Sequence, residues 1–176
     1  MVNENYLASV KQQFLYYKSL GEKAMTQLEP ELLFSLSNET ANSIAIIVQH
    51  LHGNMLSRWT DFLITDGEKE WRNRDAEFEI ILNDKDAVLH QWEEGWACLM
   101  NAIEHLRPAQ LEQTILIRNE PHTILEAINR QLAHYAYHVG QIVFYAKQLK
   151  GIKFTSLSIP KNKSGEFNQQ KFGSVK

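Results

Sequence analysis

The sequence predicts an all-α protein built as an antiparallel four-helix bundle. Two observations support this fold class: apolar residues recur at helical spacing in four long segments, and only the short run at 114–118 has the composition of a strand. With 44% hydrophobic and 22% charged residues, the composition is that of a globular protein rather than a disordered one. Four amphipathic helices can bury their apolar faces by packing around one shared core.

The first two predicted helices end at clear stop signals. The first covers Tyr6–Leu28, where apolar residues repeat at helical spacing, and Pro30 ends it. The second covers Ile44–Phe62 and ends before the turn-forming pair Asp66 and Gly67. Because this second segment is rich in apolar residues, we expect it to be mostly buried.

The third and fourth predicted helices begin at residues that suit an N-cap. Either residue of the Asn-Asp pair at 83–84 can cap the third helix, which Pro108 stops. Thr123 and Glu126 form a T-x-x-E capping box that opens the fourth helix, and Gly151 ends it. The turn-forming residues before this box separate it from the β-like run.

Two segments lie outside the predicted helices. The charged stretch Glu68–Glu79 reads as a connecting loop, long enough to suggest a function, and it contains Trp71. We therefore divide the chain into a bundle domain at 1–150 and an irregular C-terminal tail at 151–176. From Lys147 onward the chain carries seven lysines and one acid, so we expect the tail to pack on the acidic body of its own or a partner subunit. The alternative interpretation of the basic tail is a patch that binds an anionic ligand.

Charge, cysteine content and hydropathy exclude several classes of protein. With a net charge of −3, the chain lacks the excess of basic residues that is expected of a nucleic-acid binder. The single Cys98 excludes an intramolecular disulfide and a cysteine-rich zinc finger, and it suits a reducing cytoplasm. The N-terminal segment does not read as a secretory signal, and the longest uncharged runs, 44–56 and 131–146, are too short to span a bilayer. We expect a cytoplasmic protein with no membrane association.

The histidines suggest a metal site. His134 and His138 lie four residues apart on the predicted fourth helix, so their side chains project only about 40° apart and can reach one ion. Such a pair is a weak signal until a third ligand joins it. The predicted second helix offers His50 and His52, which point about 160° apart and so cannot both serve the same site.

Periodicity leaves the choice between these two histidines open. The apolar arc of the second helix places His52 near its edge and His50 on the opposite, polar stripe. On the fourth helix the histidine pair also lies on a polar stripe, together with Arg130, Gln131 and Gln141. If the two polar stripes face each other across a cleft, His50 is the consistent partner.

A basic-aromatic cluster around the end of the second helix is a candidate substrate site. It comprises Arg58, Trp59, Trp71, Arg72 and Arg74, which could grip an anionic substrate. An equally good interpretation is a loop pinned to the core by Trp71. We retain Arg58, Trp71 and Arg72 as candidate substrate-binding residues.

The other residues with reactive or titratable side chains are not expected to take part in catalysis. Asp61 and Glu68 could act as a general base, but no spacing supports this and both read as surface carboxylates. Cys98 is expected to be a buried, inert thiol, because no histidine lies beside it in helical register. The remaining histidines are expected to face solvent: His90, His105 and His122.

Two segments resemble one known superfamily. HLHGNMLSRWTDFLITDGEKEW and AINRQLAHYAYHVGQIVFYAK are similar to the DinB-like (YfiT-like) metal-binding bundles, and within them to an uncharacterised bacillus-type subfamily. The resemblance covers nearly the whole chain. It implies a cytoplasmic four-helix bundle that forms homodimers and holds a divalent metal on His50, His134 and His138. It leaves His52 as a packing or surface residue.

The implied ligand set has chemical consequences. Three imidazoles leave an open coordination position, the arrangement of catalytic zinc sites. All-nitrogen ligation suits one zinc or nickel ion per chain, with iron or manganese less favoured. The resemblance implies a thiol S-transferase that uses a low-molecular-weight thiol, or a hydrolase, acting on a small molecule. The alternative is a non-catalytic metal- or ligand-binding stress-response protein.

Overall fold

Five helices and one short antiparallel hairpin form the regular secondary structure of residues 2–79 and 82–173, the part of the chain that the computed structural model describes. The prediction of a mostly helical protein is confirmed. Four short 3₁₀ turns, including Pro30–Phe34 and Ala76–Phe78, connect these elements. The elements are α1 (Val2–Met25), α2 (Ile44–Trp59), α3 (Lys85–Glu104), β1 (Thr114–Ile117), β2 (Glu120–Thr123), α4 (Ile124–Lys150) and α5 (Ser164–Gly173).

The helix starts follow the predicted capping chemistry. The side chain of Asp84, rather than that of Asn83, accepts from the backbone N–H of Ala87 and so caps α3. At α4 the predicted capping box is present, with Thr123 and Glu126 each accepting from the backbone of the other. These caps satisfy backbone donors that the first helical turn leaves unpaired.

Two predicted helix ends and one predicted strand need refinement. The first helix stops at Met25 rather than Leu28. The second helix stops at Trp59 rather than Phe62, because Asp61 adopts a left-handed conformation with φ 49°. The β-like run is indeed a strand, but it pairs with a second strand, Glu120–Thr123, that was not predicted. Arg118 and Asn119 link the two strands with positive φ at both positions, as a tight two-residue hairpin requires.

The four long helices pack around one apolar core. α2 packs along α3 and α1 along α4, while α2 also contacts α4 and α1 contacts α3. Aromatic rings of three helices meet at the centre: Trp96 of α3 lies edge-on to Phe14 of α1 and Tyr135 of α4. This packing fixes how α2 and α4 face each other, which determines the site described below.

The C-terminal segment differs from the predicted irregular tail, because it contains α5 (Ser164–Gly173). Its sequence lacks proline and β-branched residues, and Glu166 and Lys171 complement the helix dipole at its two ends. All described residues of α5 are exposed. The segment before it is tied to the turn after α1 through Gln27 and Thr155, which bond to each other through two hydrogen bonds.

None of the helices in the described ranges is long and apolar enough to cross a membrane.

Candidate metal centre

Three histidines meet between α2 and α4. His50 comes from α2, and His134 and His138 come from successive turns of α4. One ring nitrogen from each can be chosen so that all three lie within 4.8 Å of one another, and this group could hold a metal ion. Nε2 of His50 lies 3.3 Å from Nε2 of His134. The polar stripes of the two helices therefore face each other.

The structure separates the two histidines of α2. His50 is buried against α4, whereas His52 points away toward α3, where its Nε2 donates to the carboxylate of Glu94 at 2.8 Å. The opposed directions of these neighbouring side chains follow from helical geometry. Of the two candidates, only His50 joins the histidine pair of α4.

A buried hydrogen-bond chain sets the rotation of α4 against α2. The indole N–H of Trp59 donates to the hydroxyl of Tyr135 at 3.0 Å, and that hydroxyl donates to the side-chain oxygen of Asn54 at 3.1 Å. Tyr135 is fully buried and directly follows His134, between the two histidines of α4. Because Trp59 and Asn54 lie on α2, this chain holds His134 opposite His50.

A buried carboxylate supports His50 from the loop after α2. Glu77 accepts a hydrogen bond from Nδ1 of His50 at 2.8 Å, and Arg72 donates to both oxygens of the same carboxylate, at 2.7 and 3.0 Å. The ring of Phe78 stacks on His50 with centroids 4.9 Å apart. Metal-ligating histidines commonly donate their second ring nitrogen to a carboxylate in this way.

A side-chain amide supports His138 in the same manner. Nδ1 of His138 lies 2.8 Å from Oε1 of Gln141, one turn further along α4. Since these oxygens accept, Nδ1 of His50 and Nδ1 of His138 each carry a proton. In a neutral imidazole protonated at Nδ1, Nε2 is the atom that can bind a metal ion.

The electrostatics of the site favour neutral imidazoles on the two histidines of α4. Burial, together with the neighbouring histidines and Arg58, lowers the pKa of His134 to about 3. Burial also lowers the pKa of His138. Burial by itself would raise the pKa of the Glu77 carboxyl, but the hydrogen bonds from His50 and Arg72 hold that pKa below its usual range. At neutral pH the arrangement has two uncharged α4 ligands and a carboxylate that supports the third.

The spacing between two of the three ring nitrogens fits a tetrahedral ion. Two ligands at the zinc–nitrogen distance of about 2.0–2.1 Å and at tetrahedral angles lie about 3.3–3.4 Å apart. The Nε2 atoms of His50 and His134 are separated by 3.3 Å. No cysteine or carboxylate joins the three histidines in the group found among residues 2–79 and 82–173, which leaves a coordination position free.

The predicted substrate-binding residues do not all line one cavity. Trp71 is 58% exposed, so the interpretation that it pins the loop to the core is wrong. The side chain of Arg72 is only 2% exposed and is bound to Glu77 and Glu68. Arg58 is also buried, but it lines a small cavity beside His134. Of the three, only Arg58 lies on a cavity that His134 also lines.

Glu68 is not the free surface carboxylate that was expected. One of its oxygens forms ion pairs with three arginines, Arg58 at 3.0 Å, Arg72 at 3.4 Å and Arg118 at 3.1 Å. Asp61 is exposed, as expected. Through Arg72, Glu68 is connected to Glu77 and so to His50. The loop after α2 therefore supports the histidine group through its contact with His50.

The remaining cysteine and histidines mostly follow the prediction. Cys98 is half-buried, with Thr60 and the backbone of α2 near its sulfur, and burial raises the pKa of its thiol. His90 and His105 are exposed. His122 is half-buried on β2, with Nε2 at 3.5 Å from a guanidinium nitrogen of Arg130. None of these residues lies in the histidine group.

Glu77 and Gln141 bond to the histidine group and were not predicted from the sequence. Gln141 lies on the same polar stripe as the histidine pair, three residues after His138, so its spacing was a usable signal. Glu77 lies 27 residues from His50, within a loop that has no period. The unusual length of that charged loop was the only local sign of it.

Gly53 allows Glu77 to approach His50. A Cβ atom added at Gly53 would lie 2.4 Å from Oε1 of Glu77 and 2.8 Å from its Cδ. Because His50 and Arg72 hold this carboxylate, Gly53→Ala should displace it and weaken zinc binding by about tenfold, within the usual effect of losing a supporting partner. Competition with a chromophoric chelator measures this affinity.

Gly140→Ala on α4 is the matched control, because a Cβ atom there meets nothing within 4 Å. It should bind zinc like the parent protein. Both variants should remain folded by circular dichroism, since alanine favours helix more than glycine does. Equal zinc affinities for the two variants would show that Glu77 does not support the site.

The chain belongs to the family described as protein of unknown function DUF1572, whose model matches residues 1–163. This match includes α1 to α4 and all three histidines of the group. A search of curated proteins and a search of solved structures each found no match.

Proposed function

We propose that this chain is a DinB-like protein that holds one divalent metal ion on His50, His134 and His138 and uses it as a metal-dependent enzyme. The observation that carries the proposal is the pair of supporting bonds from Glu77 and Gln141. These bonds hold the rings of His50 and His138 from their Nδ1 side, as the supporting partners of metal-ligating histidines do.

The proposal includes the architecture implied by the resemblance. The four long helices would form an antiparallel four-helix bundle, located in the cytoplasm and paired as a homodimer. A shallow apolar groove between α1 and α4, lined by Tyr17 and by the exposed Phe144, is consistent with a second copy of the chain as the partner. The packing of the C-terminal tail on a partner remains a prediction.

Zinc or nickel suits the proposed site best, because all the ligands are imidazole nitrogens; iron or manganese would be favoured only if a carboxylate joined them. When bound, such an ion lowers the pKa of a coordinated water or thiol and so supplies a nucleophile at neutral pH. The substrate would be a small molecule, and the thiol a low-molecular-weight one, as the resemblance implies.

The residues of this chain then have distinct tasks. The three histidines bind the ion, while Glu77 and Gln141 keep the Nδ1 protons of His50 and His138 in place. Phe78 covers the ring of His50 and excludes water from that side. The half-buried His134 and His138 leave one side of the group accessible to substrate.

The second candidate is a non-catalytic metal- or ligand-binding protein. A fourth protein ligand that closes the tetrahedron would favour it, because structural zinc sites are closed. The group of metal-competent side chains found in the described residues contains only the three histidines. A cavity of about 150 Å³ also adjoins His134, which gives a substrate access to the open position. Both observations support the enzyme.

A thiol-transfer assay tests the catalytic part of the proposal. The tag-free, zinc-loaded protein should accelerate the reaction of a low-molecular-weight bacterial thiol with an electrophilic acceptor. Removal of the metal with a chelator should abolish the acceleration, and added zinc should restore it. Activity that is unchanged after metal removal would refute the mechanism, and hydrolysis of an activated ester in parallel tests the water-based version.

A further inference from the structure

A small polar cavity lies between α2 and α4, directly beside the histidine group. Its volume is about 150 Å³, and five residues line it: Asn54, Arg58, Arg130, Gln131 and His134. This volume accommodates a group of a few heavy atoms, much less than the 300–1,000 Å³ typical of pockets for larger ligands. Because His134 is one wall, an occupant would lie next to the proposed metal position.

Two buried polar atoms of this cavity wall have no partner among the described residues. They are Nε of Arg58, a donor, and Oε1 of Gln131, an acceptor. The two side chains are only 7% and 3% exposed. Leaving such atoms unpaired in the protein interior is unfavourable. A polar occupant of the adjoining cavity would supply the partners that these two atoms lack.

Both charged side chains of the cavity wall are cationic. Arg58 and Arg130 supply two guanidinium groups, and no carboxylate is among the five lining residues, although Glu68 pairs with Arg58 from outside the cavity. The hydrogen bonds of Arg58 to Ser57, Gly67 and Glu68 are all made by Nη1, so its Nε has no partner among the described residues. Guanidinium groups match the geometry of carboxylates closely.

The wall also contains neutral hydrogen-bonding groups. The side-chain oxygen of Asn54 accepts from Tyr135, which turns the amide group so that its nitrogen remains a donor. Gln131 adds an acceptor one turn before His134. A ligand that suits this wall thus carries a carboxylate for the arginines and a hydroxyl or N–H that can donate to Gln131.

We propose that this cavity binds the carboxylate end of a small anionic substrate, a carboxylate that bears a neighbouring hydrogen-bond donor, beside the metal site. This inference rests on the proposed function for the use of the cavity, since bound carboxylate would place the rest of the substrate at the open coordination position. It replaces the predicted set of Arg58, Trp71 and Arg72 with Arg58, Arg130 and Gln131.

Calorimetric titration with glycolate tests the proposal, with neutral glycolamide and with acetate as comparison ligands. At low ionic strength the tag-free protein should bind glycolate and not glycolamide. Arg130→Gln should weaken glycolate binding by about tenfold through loss of a charge-assisted hydrogen bond, with partial recovery in Arg130→Lys. Arg130 is exposed, so these variants are expected to fold.

Arg107→Gln is the matched control, because Arg107 is an exposed arginine outside the cavity. It should leave glycolate affinity unchanged. Gln131→Leu should remove the advantage of glycolate over acetate, about 3- to 10-fold for one hydrogen bond, without changing acetate affinity. Equal glycolate binding by the parent and Arg130→Gln, or equal binding of glycolate and glycolamide, would overturn the proposal.

Titrations with and without zinc separate this proposal from the metal site. Glycolate binding that depends on Arg130 and persists in metal-free protein supports the cavity even if the chain binds no zinc, in which case only the proposed function fails. Glycolate binding that requires zinc and is unchanged by Arg130→Gln would mean that glycolate binds the metal directly. That result would overturn the cavity proposal and leave the metal site intact.

Discussion

Replacement of His134 by alanine is expected to remove most of the divalent ion that the tag-free protein binds. His134 contacts both other members of the group, with Nε2 at 3.3 Å from that of His50 and its ring centroid 4.7 Å from that of His138. Loss of one of three ligands should weaken binding by more than the roughly 10- to 100-fold that follows loss of a supporting partner. Elemental analysis after dialysis measures this effect.

His105→Ala is the control for this substitution. His105 is exposed at the end of α3, and its Nδ1 donates to the backbone oxygen of Asn101, so it is outside the histidine group. The control protein should retain its full metal content. If His134→Ala also retained it while remaining folded by circular dichroism, the ion would be bound elsewhere and the proposed site would be wrong.

Replacement of Trp96 by alanine should cause the largest loss of stability in the core. Trp96 is fully buried, and its ring lies 6.4 Å from Phe14, 5.4 Å from Trp92 and 5.8 Å from Tyr135, which joins three helices. Such a truncation leaves a cavity and lowers the free energy of unfolding by about 3–5 kcal/mol. Denaturant unfolding of the metal-free protein, followed by circular dichroism, measures it.

Trp71→Ala is the comparison variant, because it removes the same type of side chain from a position where that side chain is 58% exposed. It should change the free energy of unfolding by no more than about 0.5 kcal/mol. Trp96→Phe should lie between the two, since it keeps an aromatic ring and removes a buried indole N–H that has no partner among the described residues. Similar losses for Trp96→Ala and Trp71→Ala would contradict the packing described for the core.

The part of the site that lies on one helix was predictable from the sequence. His134 and His138 share a face because helical geometry is local, and the capping box that starts α4 was visible as Thr123 and Glu126. The choice between His50 and His52 could not be made from the geometry of a single helix. It depends on which face of α2 meets α4, and contacts such as that between Trp59 and Tyr135 set this relation.

The support for the site depends on contacts that no sequence period encodes. Glu77 reaches His50 from a loop, and the close approach requires Gly53, which has no side chain. The sequence did indicate the position of Arg130, because Arg130 lies four residues before His134 on the same polar stripe. Its helical spacing placed it near the histidine group, but only the fold reveals that Arg58 faces it across a cavity.

The central claim is that His50, His134 and His138 together bind one divalent ion, and X-ray absorption at the zinc edge tests it most directly. Tag-free protein loaded with one equivalent of zinc should give a nitrogen or oxygen shell at about 2.0–2.1 Å, with the outer-shell scattering of three imidazoles and no sulfur. Failure to retain zinc, a sulfur ligand at about 2.3 Å, or scattering from fewer than two imidazoles would contradict the claim.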